Sequence, residues 1–583
     1  MFCTDVPSHV NVTNHNSSFT IMQRSMQRLK EMNNAAIITG RVQTIWVLYL
    51  MSQHMVKYTR VHQNLHSTVE MQRHGIHFLA RRSRILYSYN YRCFGALTQK
   101  KFGSGSKDIP LILQNELSPT IKVDTNPYEL DRHGHGESYH ETKPPQAVVY
   151  PNSTQDVVEI VKLASKHKIP LIAFGAGTSV EGHVCATHGG ISVDTSLLQS
   201  MELPDMSSGT WPDPIATVGS GVTRNTLNEA LRHSGLQFVV DPGADATIGG
   251  MVACGASGTT TVRYGTMREN ILALECVLAN GEIAKVGSKA LKNSAGYNLL
   301  GLMCGSEGTL GIITSVTTKL NPIPEHIAAA VCVFDTLHAA AETVASLKFQ
   351  QYPLVRCELL DKASIAAFNK HTQSHQEEDA PRLMKEAPTL FLELQGSSET
   401  ALTEEIERVQ EICVEAGGTE FQLSTEARER QLLWKARHAL YYAIWGLRPD
   451  AAGAVPIVTD SCVPLSEFAN VIRATAQDVE EQGVLGPCFG HAGDGNFHCI
   501  LPITPDEDPD YLRRVHAVND RLIQRTLEAG GTCTGEHGVG YGKAKYLERQ
   551  YGPGAVHMMR AIKQALDPDN IMNPGKVLPE IDE

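Results

Sequence analysis

The chain has 583 residues, 42% apolar and 20% charged, a formal net charge of −12 and thirteen cysteines with no CxxC pair. This is ordinary globular usage, long enough for several domains, and an odd set of scattered cysteines excludes a disulfide-stapled miniature fold and fits a reducing compartment. Residues 1–107 hold fourteen Lys/Arg against Asp5, Glu31 and Glu70, so the acidic surplus falls on residues 108–583; an acidic body argues against nucleic acid as a partner, because that binding depends on basic groups neutralising phosphates.

Residues 1–107 lack the periodicity of core strands or helices. The run Thr44–Met51 is apolar but far short of the roughly 20 residues a spanning helix needs, so no transmembrane segment is expected. From Met71 to Lys107 basic and apolar residues interleave without a single acid, the composition of a mitochondrial transit peptide. Such signals sit at an amino terminus, so Met71 reads as the working initiator, residues 1–70 as an over-extended start, and the protein as mitochondrial, in the matrix or at the inner membrane. The alternative is a basic tail with another use. Residues 108–143 form a lead-in to the folded body.

The body opens at Asn152-Ser153-Thr154-Gln-Asp156, where cap residues and a first-turn acid precede Val157, Val158, Ile160, Val161 and Ala164 at helical spacing. Pro170 ends this helix, and Leu171–Phe174 is a short buried strand. It runs into Gly175-Ala176-Gly177-Thr178-Ser179 and on to Gly182, a turn whose exposed N–H groups suit a phosphate. The spacing is neither the Rossmann nor the Walker pattern. A second helix begins at Thr223 and stops at Gly235. Next comes a glycine- and alanine-rich stretch from Pro242-Gly243 through Gly249, Gly250, Ala253, Gly255 and Ser257 to Gly258. So many small residues make poor core and point to a loop approached closely by an extended ligand. A turn-rich lead then passes through Gly305-Ser-Glu-Gly-Thr-Leu-Gly311 into a β-branched strand at Ile312-Ile313-Thr314.

These three segments together resemble the FAD-binding domain of the vanillyl-alcohol oxidase/PCMH-type flavoproteins, spanning residues 144–323. The resemblance implies that Gly175, Ala176, Gly177, Thr178 and Ser179 hold the pyrophosphate, and that Pro242, Gly243, the Gly249–Ser257 loop and the Ile312-Ile313 backbone line the isoalloxazine and adenine. Many members attach the flavin through a histidine in the first loop; Phe174–Thr178 has none, so FAD is expected to be non-covalent.

Asn321-Pro-Ile-Pro324 marks a boundary. Beyond it, strand-like runs at 327–334 and 389–395 alternate with amphipathic helices near 336–350 and 401–416, predicting an antiparallel sheet with helices on one face, a cap over the flavin, and an α+β fold for the whole. Residues 373–379 read as a solvated loop. In Leu433-Trp434-Lys-Ala-Arg437 an arginine stands one helical turn from a tryptophan. Then come Gly490-His491-Ala-Gly-Asp494-Gly-Asn496-Phe-His498 and Gly535-Glu536-His537-Gly538. Three metal-type ligands and a spare base, set among glycines, are what polarising a small oxygen substrate needs. Unrelated loop histidines are the plainer alternative. A metallohydrolase or a binding module would also tolerate them, but the first leaves the three glycine-rich segments idle and the second needs no base.

The ordered set, ending in Asn573-Pro574-Gly575-Lys576, resembles the FAD-dependent D-2-hydroxyacid dehydrogenases. Position by position the resemblance implies that His491, His498 and Glu536 bind a divalent metal, Zn or Mn. It makes His537 the base and Arg437 the clamp on the substrate carboxylate. Asn573 lies beside the flavin, where the last 45 or so residues return. Relatives acting on D-2-hydroxyglutarate carry a lysine shortly before the position of Asp460, where this chain has Val458-Thr459. A small 2-hydroxy acid with one carboxylate, such as D-lactate, is therefore the expected substrate, with D-2-hydroxyglutarate or glycolate as alternatives. Cytochrome c is the implied electron acceptor; electron-transferring flavoprotein or a quinone remain open.

Overall fold

A computed structural model describes residues 108–207, 209–375, 383–448 and 455–579. The transit-peptide reading of 1–107 and the four terminal residues lie outside them.

Helix α1, Thr154–His167, starts where the Ser153 hydroxyl accepts from Asp156 N, buries Val157, Val158, Ile160, Val161, Leu163 and Ala164, and stops as Lys168 turns left-handed at φ 50°. It packs on a four-stranded sheet in the order Lys122–Asp124, Ala147–Tyr150, Ile191–Asp194 and strand β1, Leu171–Phe174. The last three strands are parallel, which is why Ala147–Tyr150 and Ile191–Asp194 are buried at every position rather than at alternate ones. A second, five-stranded sheet is antiparallel, with Ile312–Lys319 at its centre between Ile215–Gly219 and Ile271–Val277.

The stretch expected to be a loop from Gly249 to Ser257 is instead mostly helix α2, Ile248–Cys254, capped by Thr247 and closed by Gly255 at φ 67°. Ile248, Met251 and Val252 supply an apolar face whose i, i+3, i+4 spacing the glycines conceal. The small residues serve close packing: a Cβ on Gly249 would lie 2.4 Å from Ser220 Cβ.

Beyond residue 325 an eight-stranded sheet includes His326–Phe334, Thr389–Gly396, β2 (Leu354–Leu360), β3 (Cys488–Gly490) and β4 (Asn496–Ile503). Alternation divides its side chains. Ala328, Ala330, Cys332, Leu359, Phe497 and Cys499 pack against helices Leu337–Phe349, Glu399–Glu415, Leu465–Gln482 and Pro509–Glu528. Ala329, Leu360, Phe391 and Ile500 pack against Ile365 and Phe368 and against Leu433, Trp434, Leu440 and Ile444; the last four lie on helix α3, Ala427–Trp445. Helices thus cover both faces, correcting the one-face expectation: the five strands named here carry apolar residues on both sides. Gln373–His375, read as loop, continue the helix Lys362–His375; 376–382 lie outside the described residues.

The carboxy-terminal segment returns to the first sheet, where Leu171 N donates to Ile571 O and Asn573 N to Leu171 O, both at 2.8 Å. No described helix is long and apolar enough to cross a membrane. All eleven described cysteines are free.

Candidate active site

A cavity of about 300 Å³ begins where β1 ends and runs to the histidines of the sheet beyond. Its walls bring together Gly175, Ala176, Gly177, Thr178, Ser179, Pro242, Gly243, Gly249, Gly250, Ala253, Ser257, Ile313 and Asn573 with Arg437, His491, His498, Glu536 and His537. Two expected members are absent from it. The Ile312 side chain is buried in the core between α1 and the first sheet, because strand alternation turns it away from Ile313. Gly255 closes α2, facing Gly305.

The glycine-rich turn is shaped for close contact: Gly177 has φ +76°, and a Cβ on Gly175 would sit 2.4 Å from Thr247 Oγ1. Ser179 and Ser220 line the cavity with buried hydroxyls that have no protein partner. Buried hydroxyls are normally satisfied, so a polar ligand here fits. Asn573, at φ 40°, is locked by its amide donating to Glu307 O at 2.8 Å and His183 O at 3.2 Å.

At the far end, β3 and β4 pair Phe489 with His498, and His491 follows directly after β3. Along β4, His498 and Ile500 face the cavity while Phe497 and Cys499 enter the core. His491 Nδ1 lies 2.6 Å from Glu358 Oε1 and His498 Nδ1 3.0 Å from Thr459 O. Both partners only accept, so in the neutral rings Nδ1 carries the proton and Nε2 a lone pair. The two Nε2 atoms converge on Glu536 Oε1, at 3.1 and 3.3 Å. Ligands at about 2.1 Å around a tetrahedral ion are about 3.4 Å apart, close to each of these two N···O distances. Glu536 Oε2 accepts from Ser257 Oγ at 2.6 Å.

The ligand atoms of Asp460, His498, Glu536 and His537 also lie within 4.8 Å of one another. Asp460, however, is already filled. Its Oδ2 accepts from Glu536 N, His537 N and Thr534 Oγ1 at 2.9, 2.8 and 2.7 Å, and its Oδ1 from Asn496 Nδ2 at 2.8 Å. It holds the loop rather than an ion. Glu307 pins the same loop from the other side, accepting from Val539 N at 2.6 Å and Gly540 N at 2.8 Å.

His537 stacks on His498 at 4.8 Å between centroids. Burial pushes its pKa down to about 4, against the pull of Asp460, so the ring is neutral and able to accept a proton. Its Nδ1 is sealed from solvent without a partner, which leaves Nε2 for exchange with the cavity. Burial also opposes charge on His491, but Glu358 and Glu536 outweigh it and raise its pKa well above the ordinary histidine value. Burial opposes ionisation of Glu536 too, yet His491 and His498 hold its carboxyl well below the ordinary range. Arg437 is buried with its guanidinium 4.6 Å from the centre of the Phe489 ring. It spends Nε and Nη2 on Glu358 Oε2, at 2.8 and 2.7 Å, leaving Nη1 for the cavity.

Sequence reasoning missed Glu358, Asp460 and Glu307. Each carried a weak signal: Glu358 interrupts the apolar strand β2, Asp460 follows an apolar strand, and Glu307 sits inside the Gly305–Gly311 signature.

Residues 323–577 match the family model for the C-terminal domain of FAD-linked oxidases, and residues 145–287 an FAD-binding domain. The chain is 43% identical over 451 residues to the probable mitochondrial D-lactate dehydrogenase of Danio rerio, covering 77% of this chain and 87% of the relative. It is 38% identical to the mitochondrial D-lactate dehydrogenase [cytochrome] of Arabidopsis thaliana, covering 81% of each. A glycolate oxidase subunit of Bacillus subtilis is 33% identical, covering 74% of this chain and 89% of that one. Among solved structures, p-cresol methylhydroxylase with substrate bound superposes with a TM-score of 0.66 at 18% identity, covering 82% and 98% of the two chains. At that identity the likeness speaks for the fold, which is α+β of the PCMH type.

Proposed function

This chain belongs to the FAD-linked oxidases, in one family with the mitochondrial D-lactate dehydrogenases, and we propose that it oxidises D-lactate, or a similarly small D-2-hydroxy acid, to the 2-oxo acid in mitochondria. The observation that carries this reading is the cluster at one end of the flavin cavity: two histidine nitrogens converging on a carboxylate, a neutral histidine beside them and an arginine lining the same space.

The Gly175–Ser179 turn and α2 would hold FAD non-covalently, and bound there it would supply the acceptor for the hydride that leaves Cα. His183, just past that turn, also lines the cavity, with its Nε2 3.2 Å from Glu307 Oε2. His491, His498 and Glu536 would hold a divalent ion, which would supply Lewis acidity for the substrate hydroxyl, and a donor set of two imidazoles and a carboxylate suits Zn or Mn alike. Arg437 holds the substrate carboxylate through Nη1 by a charge-assisted hydrogen bond. His537 takes the hydroxyl proton at Nε2. Asp460 and Glu307 keep His537 in register by gripping the backbone on either side of it. Val458, Phe489 and Ile500 wall the space and keep water from the reacting atoms.

Substrate size follows from charge. Among the described residues lining the cavity, Arg437 is the one arginine or lysine, so a second carboxylate finds no partner of fixed charge. The electrons pass on to cytochrome c in this reading. Anaerobic bleaching of the bound flavin by D-lactate, L-lactate, glycolate and D-2-hydroxyglutarate, with metal analysis of the same sample, tests it. Bleaching strongest with D-lactate is expected; a flavin untouched by D-lactate refutes it.

A further inference from the structure

Glu358 is fully buried on β2, on the sheet face shared by Leu360 and α3. A carboxylate there is costly unless its charge is paired and its oxygens are hydrogen-bonded. Both oxygens are engaged, by partners with different tasks: Oε1 with His491 Nδ1 at 2.6 Å, Oε2 with Arg437 Nε and Nη2 at 2.8 and 2.7 Å.

The sheet sets this up. β2 pairs with β3 so that Leu359 opposes Gly490 and Leu360 opposes Phe489; continuing the antiparallel register puts Glu358 opposite His491. α3, lying on the same face, brings Arg437 to the other oxygen. We propose that Glu358 is a positioning residue that fixes the metal-side histidine and the carboxylate-side arginine as one unit, so that a single side chain sets the distance between the metal site and the substrate clamp. The proposal rests on the assignment of His491, His498 and Glu536 as metal ligands and of Arg437 as the clamp.

Three consequences of the geometry support it. A carboxylate can only accept, so it holds the proton on His491 Nδ1 and keeps Nε2 free for a metal. Its second oxygen takes Arg437 along the Nε edge while Phe489 supports the guanidinium face, which fixes where Nη1 points. Its one negative charge also offsets a cation on each side of it, and this lets an arginine lie buried next to a metal site.

Glutamine in its place has the same shape but cannot do both jobs. If its oxygen faces Arg437, its NH2 meets His491 Nδ1 and drives the proton to Nε2, against the metal. If its oxygen faces His491, the NH2 meets the guanidinium and Arg437 loses its partner.

The test titrates Mn²⁺ into FAD-loaded, chelator-stripped protein, wild type and Glu358→Gln, and measures KM and kcat for D-lactate separately. At least one of two changes is expected in the variant, a fall in Mn²⁺ affinity of about 10–100-fold, the usual effect of losing a metal ligand's hydrogen-bond partner, or a rise in KM, with flavin content unchanged. A variant with both the Mn²⁺ affinity and the KM of wild type overturns the proposal. Because Glu358→Gln strands a buried cation, the same titration is run on Arg437→Met and on the double variant Arg437→Met/Glu358→Leu, which has no such cation and no side chain at 358 that can accept from His491 Nδ1. Retained Mn²⁺ affinity in the former and lost affinity in the latter supports the proposal; equal affinity in the two overturns it. Wild type that takes up no metal overturns the ligand assignment itself, and the proposal with it.

Discussion

Replacing Asp460 by alanine removes the acceptor that three buried donors share: Glu536 N, His537 N and Thr534 Oγ1 all bond to its Oδ2, at 2.7 to 2.9 Å. A buried donor left unsatisfied costs about 1–3 kcal/mol, so the three together destabilise the fold by on the order of 5 kcal/mol. The catalytic effect is separate. Gly535–Gly538 loses its side-chain anchor on one side and keeps there the bond from Gly535 N to the carbonyl of residue 460; a displacement of about 1 Å in a reacting group costs about 10²-fold, and kcat with D-lactate should fall by about that much. Asp460→Asn separates the two effects. Its oxygen can stay with the three donors, and its NH2 can be received by Asn496, whose Oδ1 is buried without a partner and can be turned to accept. The bonds survive in neutral form, at about half the strength of the charge-assisted ones, and most activity should return. The assay is dye-coupled turnover with guanidinium unfolding of the same preparations. An Asp460→Ala protein with wild-type kcat would refute the view that this carboxylate holds the base in place.

Further outcomes follow from the other assignments. His537→Ala should keep FAD and metal but lose about 10²–10⁴-fold in kcat, the usual contribution of a general base, checked by turnover alongside absorbance and metal content. His491→Ala should lose metal and turnover together, and chelation of wild type should reproduce that loss until Zn²⁺ or Mn²⁺ is returned; an unchanged metal content in the variant contradicts its role. Burial opposes ionisation of Asp241, but Arg356 and Arg224, with the hydrogen bonds from Thr259 and Thr260, hold its carboxyl below the ordinary range. Its contribution to stability is therefore complete above the unfolded value of about 3.9 and is lost as pH falls towards the lower folded value. Unfolding midpoints between pH 3 and 7 should drop at the acid end in wild type, and less steeply in Asp241→Asn. Acid precipitation should release the flavin into the supernatant; colour retained in the pellet would contradict non-covalent binding.

Much of this was legible in the chain. His491, His498, Glu536 and His537 lie in two short glycine-rich motifs, and the Gly175–Ser179 turn follows its strand directly. Such features are local: a glycine, a cap residue or a run of apolar side chains acts on backbone a few residues away. Where local signals conflict, reading fails. The glycines of 249–255 hid the helical spacing of Ile248, Met251 and Val252, and a two-sided sheet was read as one-sided because a strand's own sequence does not say which helix will cover which face.

The residues that hold the motifs in place were beyond reach. Glu358 meets His491 across 133 residues, Asp460 meets Glu536 across 76, and Glu307 meets Val539 across 232. A lone carboxylate in an apolar strand announces that it needs a partner, but the choice of partner is made by sheet register and by the packing of α3. The sequence alone determined which ligand-type and basic side chains its glycine-rich motifs carry. Only the tertiary structure decided how they are aimed, because hydrogen-bond direction depends on where distant strands come to rest.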